Sequence, residues 1–406
     1  MKSSSPTKLS PEKEIGAMTV AGIMSGTSAD GIDIALVRIA PLRTSSNPFP
    51  RVRLMSHVAV PYPASVRKRI LQMMNADNAS VAEMSQLHWR LGQLYADAVK
   101  LALKQYPVRL DLIGCHGQTI YHQGVARQFL GAPVACTWQM GEPSVIAAEL
   151  AVPVVSDFRP ADLALGGQGA PLVPLLDYVA FHHPRRNRVL QNLGGIANLT
   201  VIPAGASQQE IFAFDTGPAN MVIDALMTEC FGRKYDVQGA IAKRGRVLDS
   251  LVEHYLRGRF FQSHPPKSAG REQFGREFSA RFLADCRKHS KRPEDAVATA
   301  TALTARSIGR AWKDFVASSL GNISTDYIVA GGGARNRTLM ETIRRELESL
   351  GKISIKTSDE FGMPAAAKEA MAFALLAYQT WHRQPGNVPR ATGATRAAIL
   401  GRITHA

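Results

Sequence analysis

The sequence has few cysteines and lacks a paired cysteine motif. Its four cysteines are scattered through 406 residues without a CxxC spacing: Cys115, Cys136, Cys230 and Cys286. A structural zinc site or a disulfide framework would need closely spaced or more numerous cysteines, so neither is expected. Free thiols are predicted instead, which is typical of a protein from a reducing compartment.

Long apolar runs are also missing. A membrane-spanning helix needs ~20 consecutive apolar residues, and the best candidate, residues 370–378, is far too short. Residues 1–17 are rich in Ser, Pro and Lys and lack the apolar centre of a signal peptide, so we expect a disordered lead-in there. These features predict a cytoplasmic protein that has no membrane partner.

Acidic residues are outnumbered, with 33 Asp and Glu against 48 Lys and Arg, which gives a net charge of +15. Such a balance would suit nucleic acid. However, the basic residues occur in short clusters at 185–188, 243–246 and 287–292 that are not interleaved with aromatics, and no nucleic-acid module is present. We interpret them as solvated surface charge and predict no nucleic-acid partner.

A polar, glycine-rich turn lies between two apolar runs, residues 20–24 and 34–39. This pattern predicts a β-hairpin, and glycine in its tip lets backbone N–H groups approach an oxyanion closely. Two aspartates there could hold Mg²⁺ directly or through water. An ordinary polar hairpin is the alternative. We predict an ATP-phosphate site made by Gly26, Thr27, Ser28, Ala29, Asp30, Gly31, Ile32 and Asp33, with Asp30 and Asp33 near the metal.

Two further glycine turns follow along the chain. The apolar run 189–193 enters Gly194-Gly195 before another apolar run. The run 327–330 enters a triplet of glycines, after which a helical stretch begins. A strand, a glycine turn and a helix suit a nucleotide, although a structural turn glycine is the alternative at each place. We predict ATP contacts at Gly194, Gly195, Gly331, Gly332, Gly333 and Asn336.

Three glycine turns in this order resemble the plan of the superfamily of acetate and sugar kinases, heat-shock ATPases and actin. The resemblance implies an α/β fold in which two ribonuclease-H-like domains flank an ATP cleft. A ββ(β)αβα order indeed recurs, with expected elements that include a strand at 110–114, a helix from Pro218 and a helix at 364–381. We expect domain I at 18–156 plus about 384–406, and domain II, with the nucleotide and sugar site, at 157–383.

Within that superfamily, nine short motifs between residues 22 and 374 occur in the order seen in one family. Their residues are Ser25-Gly26-Thr27-Ser28-x-Asp30-Gly31-x-Asp33, His116-Gly117-Gln118-Thr119, Asp157-Phe158-Arg159 with Asp162, 166–174, 192–198, 214–220, Pro266-Lys267-Ser268-x-Gly270-Arg271-Glu272, Gly331-Gly332-Gly333-Ala334-x-Asn336 and Glu369-x-Met371-Ala372-Phe373-Ala374. On these motifs the chain resembles the anhydro-N-acetylmuramic acid kinase family. Pro160-Ala161 departs from the pattern, because many relatives carry more charge there.

The resemblance implies a reaction of peptidoglycan recycling and amino-sugar catabolism. ATP, water and 1,6-anhydro-N-acetylmuramic acid give N-acetylmuramic acid 6-phosphate and ADP, so that the anhydro ring opens while O6 is phosphorylated. ATP and Mg²⁺ are the implied cofactors, and a small anhydro sugar is the implied partner. A homodimer is common among such kinases.

Two other functions stay open at this point. A kinase for 1,6-anhydroglucose (levoglucosan) would act on a sugar that lacks the N-acetyl and lactyl groups. An actin-like or heat-shock-like ATPase would use the same cleft as a conformational switch and would hydrolyse ATP without any sugar.

Asp215 is the predicted catalytic base. It follows the apolar run 211–214 and matches the family position of the base, and a carboxylate there can deprotonate the water that attacks C1. The alternative is an N-cap for a helix that begins at Pro218.

Five further residues are expected to bind the sugar: Glu369, Asp162, Arg159, His116 and Asn220. Glu369 matches a family glutamate but could also be an exposed helix residue. Arg159 and Asp162 follow a strand end, where ligand residues occur in α/β sheets, although pairing at a domain hinge is equally open. The alternative interpretation of His116 is a histidine of the core that binds no ligand. For Lys267 and Arg271 two interpretations stay open, which are contact with a ligand and plain surface charge.

Overall fold

The structure is a computed structural model that describes residues 16–41, 49–74, 76 and 78–406. Most of the lead-in expected at 1–17 lies outside these residues. The described residues form twelve strands, which are β1 (Met18–Ser25), β2 (Gly31–Ala40), β3 (Arg51–Pro61), β4 (Leu112–Phe129), β5 (Ala132–Met140), β6 (Val154–Ser156), β7 (Asn187–Leu193), β8 (Ile196–Ile202), β9 (Phe212–Pro218), β10 (Thr325–Ala330), β11 (Ile353–Thr357) and β12 (Arg402–Thr404).

Fifteen α-helices connect the strands of the described residues. They are α1 (Ala64–Met74), α2 (Val81–Gln105), α3 (Pro143–Leu150), α4 (Pro160–Ala164), α5 (Pro174–Phe181), α6 (Asn220–Phe231), α7 (Asp249–Leu256), α8 (Arg259–Gln262), α9 (Arg271–Phe274), α10 (Arg276–His289), α11 (Pro293–Ala311), α12 (Ala317–Leu320), α13 (Arg337–Glu348), α14 (Lys368–Trp381) and α15 (Pro389–Thr392). A π-helical turn, Trp312–Val316, joins α11 to α12.

The strands form two sheets with the same internal plan. In the first, the antiparallel meander β1-β2-β3 is extended by β4 and β6, both parallel to their neighbours, and β12 closes the edge. In the second, the antiparallel meander β7-β8-β9 is extended by the parallel strands β10 and β11. The α/β class with two duplicated units is therefore confirmed.

Strand β4 is longer than the sequence indicated. The expected strand ended at Gly114, whereas β4 continues to Phe129 and pairs with β5. Leu130 and Gly131 join the two strands with φ values of 48° and 83°, as in the primed turns that match the twist of a hairpin. The hairpin was missed because Leu-Gly is not a typical sequence for this turn.

Helix α14 packs on the first sheet, where it contacts β1, β2 and β4. Two glycines make room for it: a Cβ on Gly22 would lie 1.8 Å from the carbonyl oxygen of Ala370, and one on Gly114 would lie 2.2 Å from that of Phe373. The expected division of the chain had grouped this helix with domain II. By its packing, α14 lies on the first sheet, and the division of the chain into two domains stays a prediction.

The basic cluster at 185–188 is partly internal. Arg186, Arg188 and Lys356 all form ion pairs with the buried carboxylate of Asp326 at the start of β10. Two of the arginines that seemed to be surface charge thus tie the start of β7 to β10, and Lys356 ties β11 to β10. Within the described residues, no helix combines the length and apolarity needed to cross a bilayer.

Candidate active site

The first glycine turn lies between β1 and β2 and is held from below by a buried polar network. The Ser25 hydroxyl donates to Oε1 of Gln118 at 2.6 Å and accepts from the Tyr62 hydroxyl at 2.9 Å. Nε2 of Gln118 donates to the carbonyl oxygen of Gly26 at 3.2 Å. These bonds fix the turn, while Thr27 and Ser28 at its tip are exposed. The predicted hairpin is present, and a rigid framework supports its tip.

Three predicted glycines border open space. A Cβ on Gly26 or Gly194 would meet no protein atom closer than 3.6 Å, and one on Gly332 would meet none closer than 3.7 Å. Gly195 also lies exposed at the tip of the β7-β8 hairpin. Since neighbouring protein does not require glycine at Gly26, Gly194 and Gly332, close approach of a ligand is a physical reason for it.

Three other predicted glycines are required by packing. A Cβ on Gly31 would lie 2.5 Å from the Val60 carbonyl oxygen of β3, and one on Gly333 would lie 2.6 Å from Cβ of Leu193. Gly331 has a φ of 88°, and a Cβ there would lie 2.6 Å from Oδ1 of Asn192. The structural alternative therefore accounts for these three positions without a ligand.

Some predicted nucleotide contacts have side chains that are occupied elsewhere. Ala29 and Ile32 are buried in the core beneath the first hairpin, so only their backbone can face a ligand. Asn336 is also buried, and its Oδ1 accepts from the Leu339 N–H at 3.0 Å as the N-cap of α13. Asn336 thus anchors the helix that follows the glycine triplet.

The two carboxylates predicted near Mg²⁺ face different partners. Asp30 is exposed and pairs with Arg67 of α1 at 3.1 Å. Asp33 is half-exposed and accepts from Nε2 of His57 at 2.9 Å. Burial raises the pKa of Glu369, and the charge of Asp33 adds to that shift. Within the described residues, no cluster of three His, Cys, Asp or Glu could hold a metal alone. One or two carboxylates together with substrate phosphates are the usual Mg²⁺ ligands. Asp33 fits that donor set better than Asp30, because Asp30 is already paired with the charged guanidinium of Arg67.

Substitution at two glycines should separate the ligand role from the packing role. In Gly26→Val the new side chain has room in the folded protein but occupies the space for a phosphate, so ATP affinity should fall at least about tenfold with little change in melting temperature. In Gly31→Val the side chain collides with β3, so the melting temperature should fall. Calorimetric titration and thermal melts measure the two effects. Unchanged ATP affinity in Gly26→Val would remove this turn from the site.

Arg159, His116 and Glu369 form a cluster on the first sheet. Arg159 donates to Nε2 of His116 from Nε at 3.1 Å and to the Gly169 carbonyl oxygen at 2.7 Å. Burial and the nearby guanidinium lower the pKa of His116 far below its usual range, so the ring is neutral. Burial lowers the pKa of Arg159 to about 10, and Glu369 and Asp162 oppose that shift.

Glu369 lies in the first turn of α14. Its side chain is accessible to water, yet protein surrounds it closely enough that burial raises its pKa, while Arg159 lowers it. An accessible carboxylate within electrostatic reach of Arg159 and Asp33 can accept a hydrogen bond from a ligand hydroxyl.

Asp162 is fully buried and makes its hydrogen bonds to protein. One carboxylate oxygen accepts from the Gly169 N–H at 2.8 Å, and the other accepts from Asn387 and Thr392, both at 2.7 Å. Through these contacts Asp162 joins the loop that holds Arg159 to the C-terminal segment, and its role in sugar binding stays a prediction.

Asn220 begins α6 and lies beside the second glycine turn. Its Nδ2 donates to the Leu193 carbonyl oxygen at 3.1 Å, and its backbone N–H donates to that of Gly194 at 3.0 Å. Nδ2 also lies 3.7 Å from the Cβ position of Gly332. The structure therefore groups Asn220 with the glycines predicted to bind phosphate.

Asp215 lies in β9, opposite Asn198 of β8. Its backbone N–H donates to the Lys267 carbonyl oxygen at 3.0 Å, and its Oδ2 accepts from the Ala269 N–H at 2.7 Å. Burial raises the pKa of Asp215 to about 7; the Ala269 N–H opposes this shift and Glu272 adds to it. A carboxyl group with a pKa near neutrality can exchange a proton at working pH.

The alternative role of Asp215 as a helix cap does not agree with the structure. β9 continues through Pro218, which pairs with Ile196, and α6 begins only at Asn220. The expectation of a helix from Pro218 was wrong because the pairing with β8 keeps the chain extended for three residues beyond Asp215.

A hydrogen bond between two side chains links the two halves of the site. The Ser268 hydroxyl, next to the Ala269 N–H that holds Asp215, donates to Oε1 of Gln168 at 3.1 Å. Gln168 precedes Gly169, whose carbonyl oxygen binds Arg159. The chain thus connects Asp215 of the second sheet to the cluster of Arg159 and Glu369 on the first.

Residues 18–406 match the family model of anhydro-N-acetylmuramic acid kinase. This chain belongs to that family. An anhydro-N-acetylmuramic acid kinase from Bacillus cereus (strain ATCC 10987 / NRS 248) is 44% identical over 391 residues, covering 95% of this chain and 99% of its own length. One from Bacillus thuringiensis subsp. konkukian (strain 97-27) is 44% identical over 391 residues with the same coverage.

Among solved structures, the activator of the 2-hydroxyisocaproyl-CoA dehydratase from Clostridium difficile with bound ADPNP aligns with 89% of this chain and 95% of its own. The sequence identity is 10% and the TM-score 0.42.

Reasoning from the sequence missed several residues that support the site of this anhydro-N-acetylmuramic acid kinase family member. Nζ of Lys368 lies 2.6 Å from Oδ1 of Asp177, and the other oxygen of Asp177 accepts from the Thr200 hydroxyl at 2.8 Å. This buried group joins the start of α14, and hence Glu369, to β8 of the second sheet. Its members are far apart in sequence, so no local motif marks them.

Proposed function

We propose that this chain is an ATP-dependent kinase that opens the 1,6-anhydro ring of 1,6-anhydro-N-acetylmuramic acid with water and phosphorylates O6. The products are N-acetylmuramic acid 6-phosphate and ADP, as needed in peptidoglycan recycling. The observation that carries the proposal is Asp215, a carboxylate with a pKa near 7 at the family's base position. Cytoplasmic location and a homodimer stay predictions.

Asp215 acts as the general base. Its Oδ2 is fixed by the Ala269 N–H, whereas Oδ1 accepts no hydrogen bond from the described residues and is available to a water molecule. The water gives a proton to Asp215 as its oxygen bonds to C1, the C1–O6 bond breaks, and O6 takes the γ-phosphoryl group while the bond to ADP breaks. An inverting glycosidase activates water in the same way, and no separate acid is needed because phosphorus, not a proton, captures O6.

The phosphates of ATP are assigned to the three turns with open glycines. Gly26, Gly194 and Gly332 leave room for phosphate oxygens beside backbone N–H groups, and Asn220 lies between the second and third turns. Asp33 is the residue that would hold Mg²⁺. A bound Mg²⁺ would neutralise charge on the transferred phosphoryl group.

The sugar is assigned to the region between Asp215 and Glu369. The Glu369 carboxylate can accept from a sugar hydroxyl, and the Arg159 guanidinium supplies positive charge near the lactyl carboxylate. Neutral His116 keeps Arg159 in place by accepting from it. The match to the family over residues 18–406 disfavours the levoglucosan kinase and the ATPase switch.

Turnover in ¹⁸O-water tests the proposal. ADP release should depend on 1,6-anhydro-N-acetylmuramic acid and should be much slower with levoglucosan. The label should appear at the anomeric oxygen, because water attacks C1, and the first-formed anomer should be α, because displacement inverts the β bridge. Label in phosphate, or ADP release without sugar, would support the ATPase instead.

A further inference from the structure

Lys267 is half-buried in a cage of aromatic rings beside Asp215. Its Nζ lies 4.7 Å from the ring centroid of Phe315, 4.9 Å from that of Phe260 and 5.8 Å from that of Phe214. Phe214 precedes Asp215 in β9, and Phe315 belongs to the π-helical turn after α11. Such a cage attracts a cation to ring faces that are largely removed from water.

The ammonium group also has fixed hydrogen-bond partners. Nζ donates to the carbonyl oxygens of Phe260 at 3.1 Å and Phe261 at 3.4 Å, both in α8. These contacts hold the side chain inside the protein, so Lys267 is neither surface charge nor free to follow a phosphate group. The sequence left the role of Lys267 open. Because its side chain is occupied by protein, Lys267 can act on the site only through its backbone.

The backbone of residues 267–269 makes two hydrogen bonds to Asp215. The Lys267 carbonyl oxygen accepts from the Asp215 N–H at 3.0 Å, and the Ala269 N–H donates to Oδ2 of Asp215 at 2.7 Å. The anchored side chain of Lys267 is therefore the first in the segment 267–269, whose backbone orients the Asp215 carboxylate.

We propose that Lys267 is a positioning residue for Asp215: its caged ammonium fixes the backbone of residues 267–269, and this backbone holds the carboxylate toward the reacting water. The inference rests on the proposed function. A misplacement of about 1 Å at a reacting group can cost about 10²-fold in rate, so this support should be visible in kcat.

The charges around the two side chains give the direction of the pH effect. Burial raises the pKa of Asp215 and Glu272 of α9 adds to this shift, whereas the Ala269 N–H and Lys267 lower the pKa. Burial and Arg310 of α11 lower the pKa of Lys267, which Asp314 and Asp215 raise. Removing the ammonium group takes away a nearby positive charge and loosens the Ala269 N–H. Both changes raise the pKa of the base, which must be deprotonated to act.

The test compares Lys267→Met with the wild type and with Lys313→Met, a control at an exposed lysine of the π-helical turn. In Lys267→Met, kcat should fall by about 10–100-fold and the acidic limb of kcat/KM for the sugar should move to higher pH. The KM for ATP should stay close to that of the wild type. Lys267→Arg keeps the charge and should restore the position of the limb.

A purely structural role would lower the melting temperature of Lys267→Met but leave kcat per folded enzyme and the acidic limb unchanged, and that result would overturn the inference. If Lys267→Met does not fold, Phe315→Leu, which removes the nearest ring, should show the same two changes at a smaller size; wild-type values in it would also overturn the inference. If the wild type shows no sugar-dependent ADP release, the proposed function fails before any variant is compared.

Discussion

Replacing Asp215 by asparagine should lower kcat by about 10²–10⁴-fold, the usual contribution of a general base. Asparagine has nearly the same shape, and its carbonyl oxygen can still accept from the Ala269 N–H, so stability and binding of ATP and sugar should barely change. Because the amide cannot take a proton at neutral pH, the loss should lie in kcat and not in KM. Steady-state rates and a thermal melt measure both effects.

The pH profile adds an independent check on Asp215. Since burial raises the pKa of this carboxyl to about 7, the base is mostly protonated below neutrality, and kcat/KM should rise with pH through that value. The residual activity of Asp215→Asn should lack this acidic limb, because the titrating group is gone.

Asp224 of α6 provides a matched control. Burial and Asp236 raise its pKa to about 6, yet it makes none of the contacts of the site, so Asp224→Asn should keep the rate of the wild type. Near-normal turnover in Asp215→Asn would contradict the assignment. It would move the base to Glu369, since Asp162 is already bonded to protein at both oxygens.

The second large effect is expected on stability. Lys368 and Asp177 form an ion pair at 2.6 Å, with side chains 9% and 3% exposed. Lys368→Met would leave the Asp177 carboxylate buried without its counter-charge, which typically costs about 3–5 kcal/mol of the free energy of unfolding. Denaturant unfolding should show this loss. The double variant with Asp177→Leu should recover much of it, because no unpaired charge then remains buried.

An exposed pair of the same length serves as the control for this effect. Nζ of Lys100 also lies 2.6 Å from its partner, Glu149, but the two side chains are 48% and 33% exposed. Water screens such a pair, so Lys100→Met should change the unfolding transition very little. Equal effects in Lys100→Met and Lys368→Met would show that burial of the Lys368 pair does not matter.

Much of the fold could be predicted from the sequence because its signals are local. The turn at Gly26–Gly31 and the turn at Gly194–Gly195 lie between apolar runs that read directly as paired strands, and both hairpins are present. The third turn and its helix were also found where the glycine triplet indicated. The β4-β5 hairpin and the end of β9 were not found, because strand pairing decides them.

The sequence by itself determined the duplicated α/β order, the positions of the glycine turns and the motifs that identify the family. These depend on residue type, spacing and order along the chain, which are local properties. Which glycine leaves room for a ligand and which one accommodates packing was decided only by the tertiary structure, as Gly26 and Gly31 show.

The tertiary structure also decided the state of the ionisable groups. Asp215, Asp162 and Asp177 are all aspartates that follow or lie near apolar segments, and no spacing distinguishes them. Their environments do: a pKa near 7 for Asp215, hydrogen bonds at both oxygens for Asp162, and a buried lysine for Asp177. Desolvation and charge depend on what distant segments bring within a few ångströms, and only the folded chain specifies that.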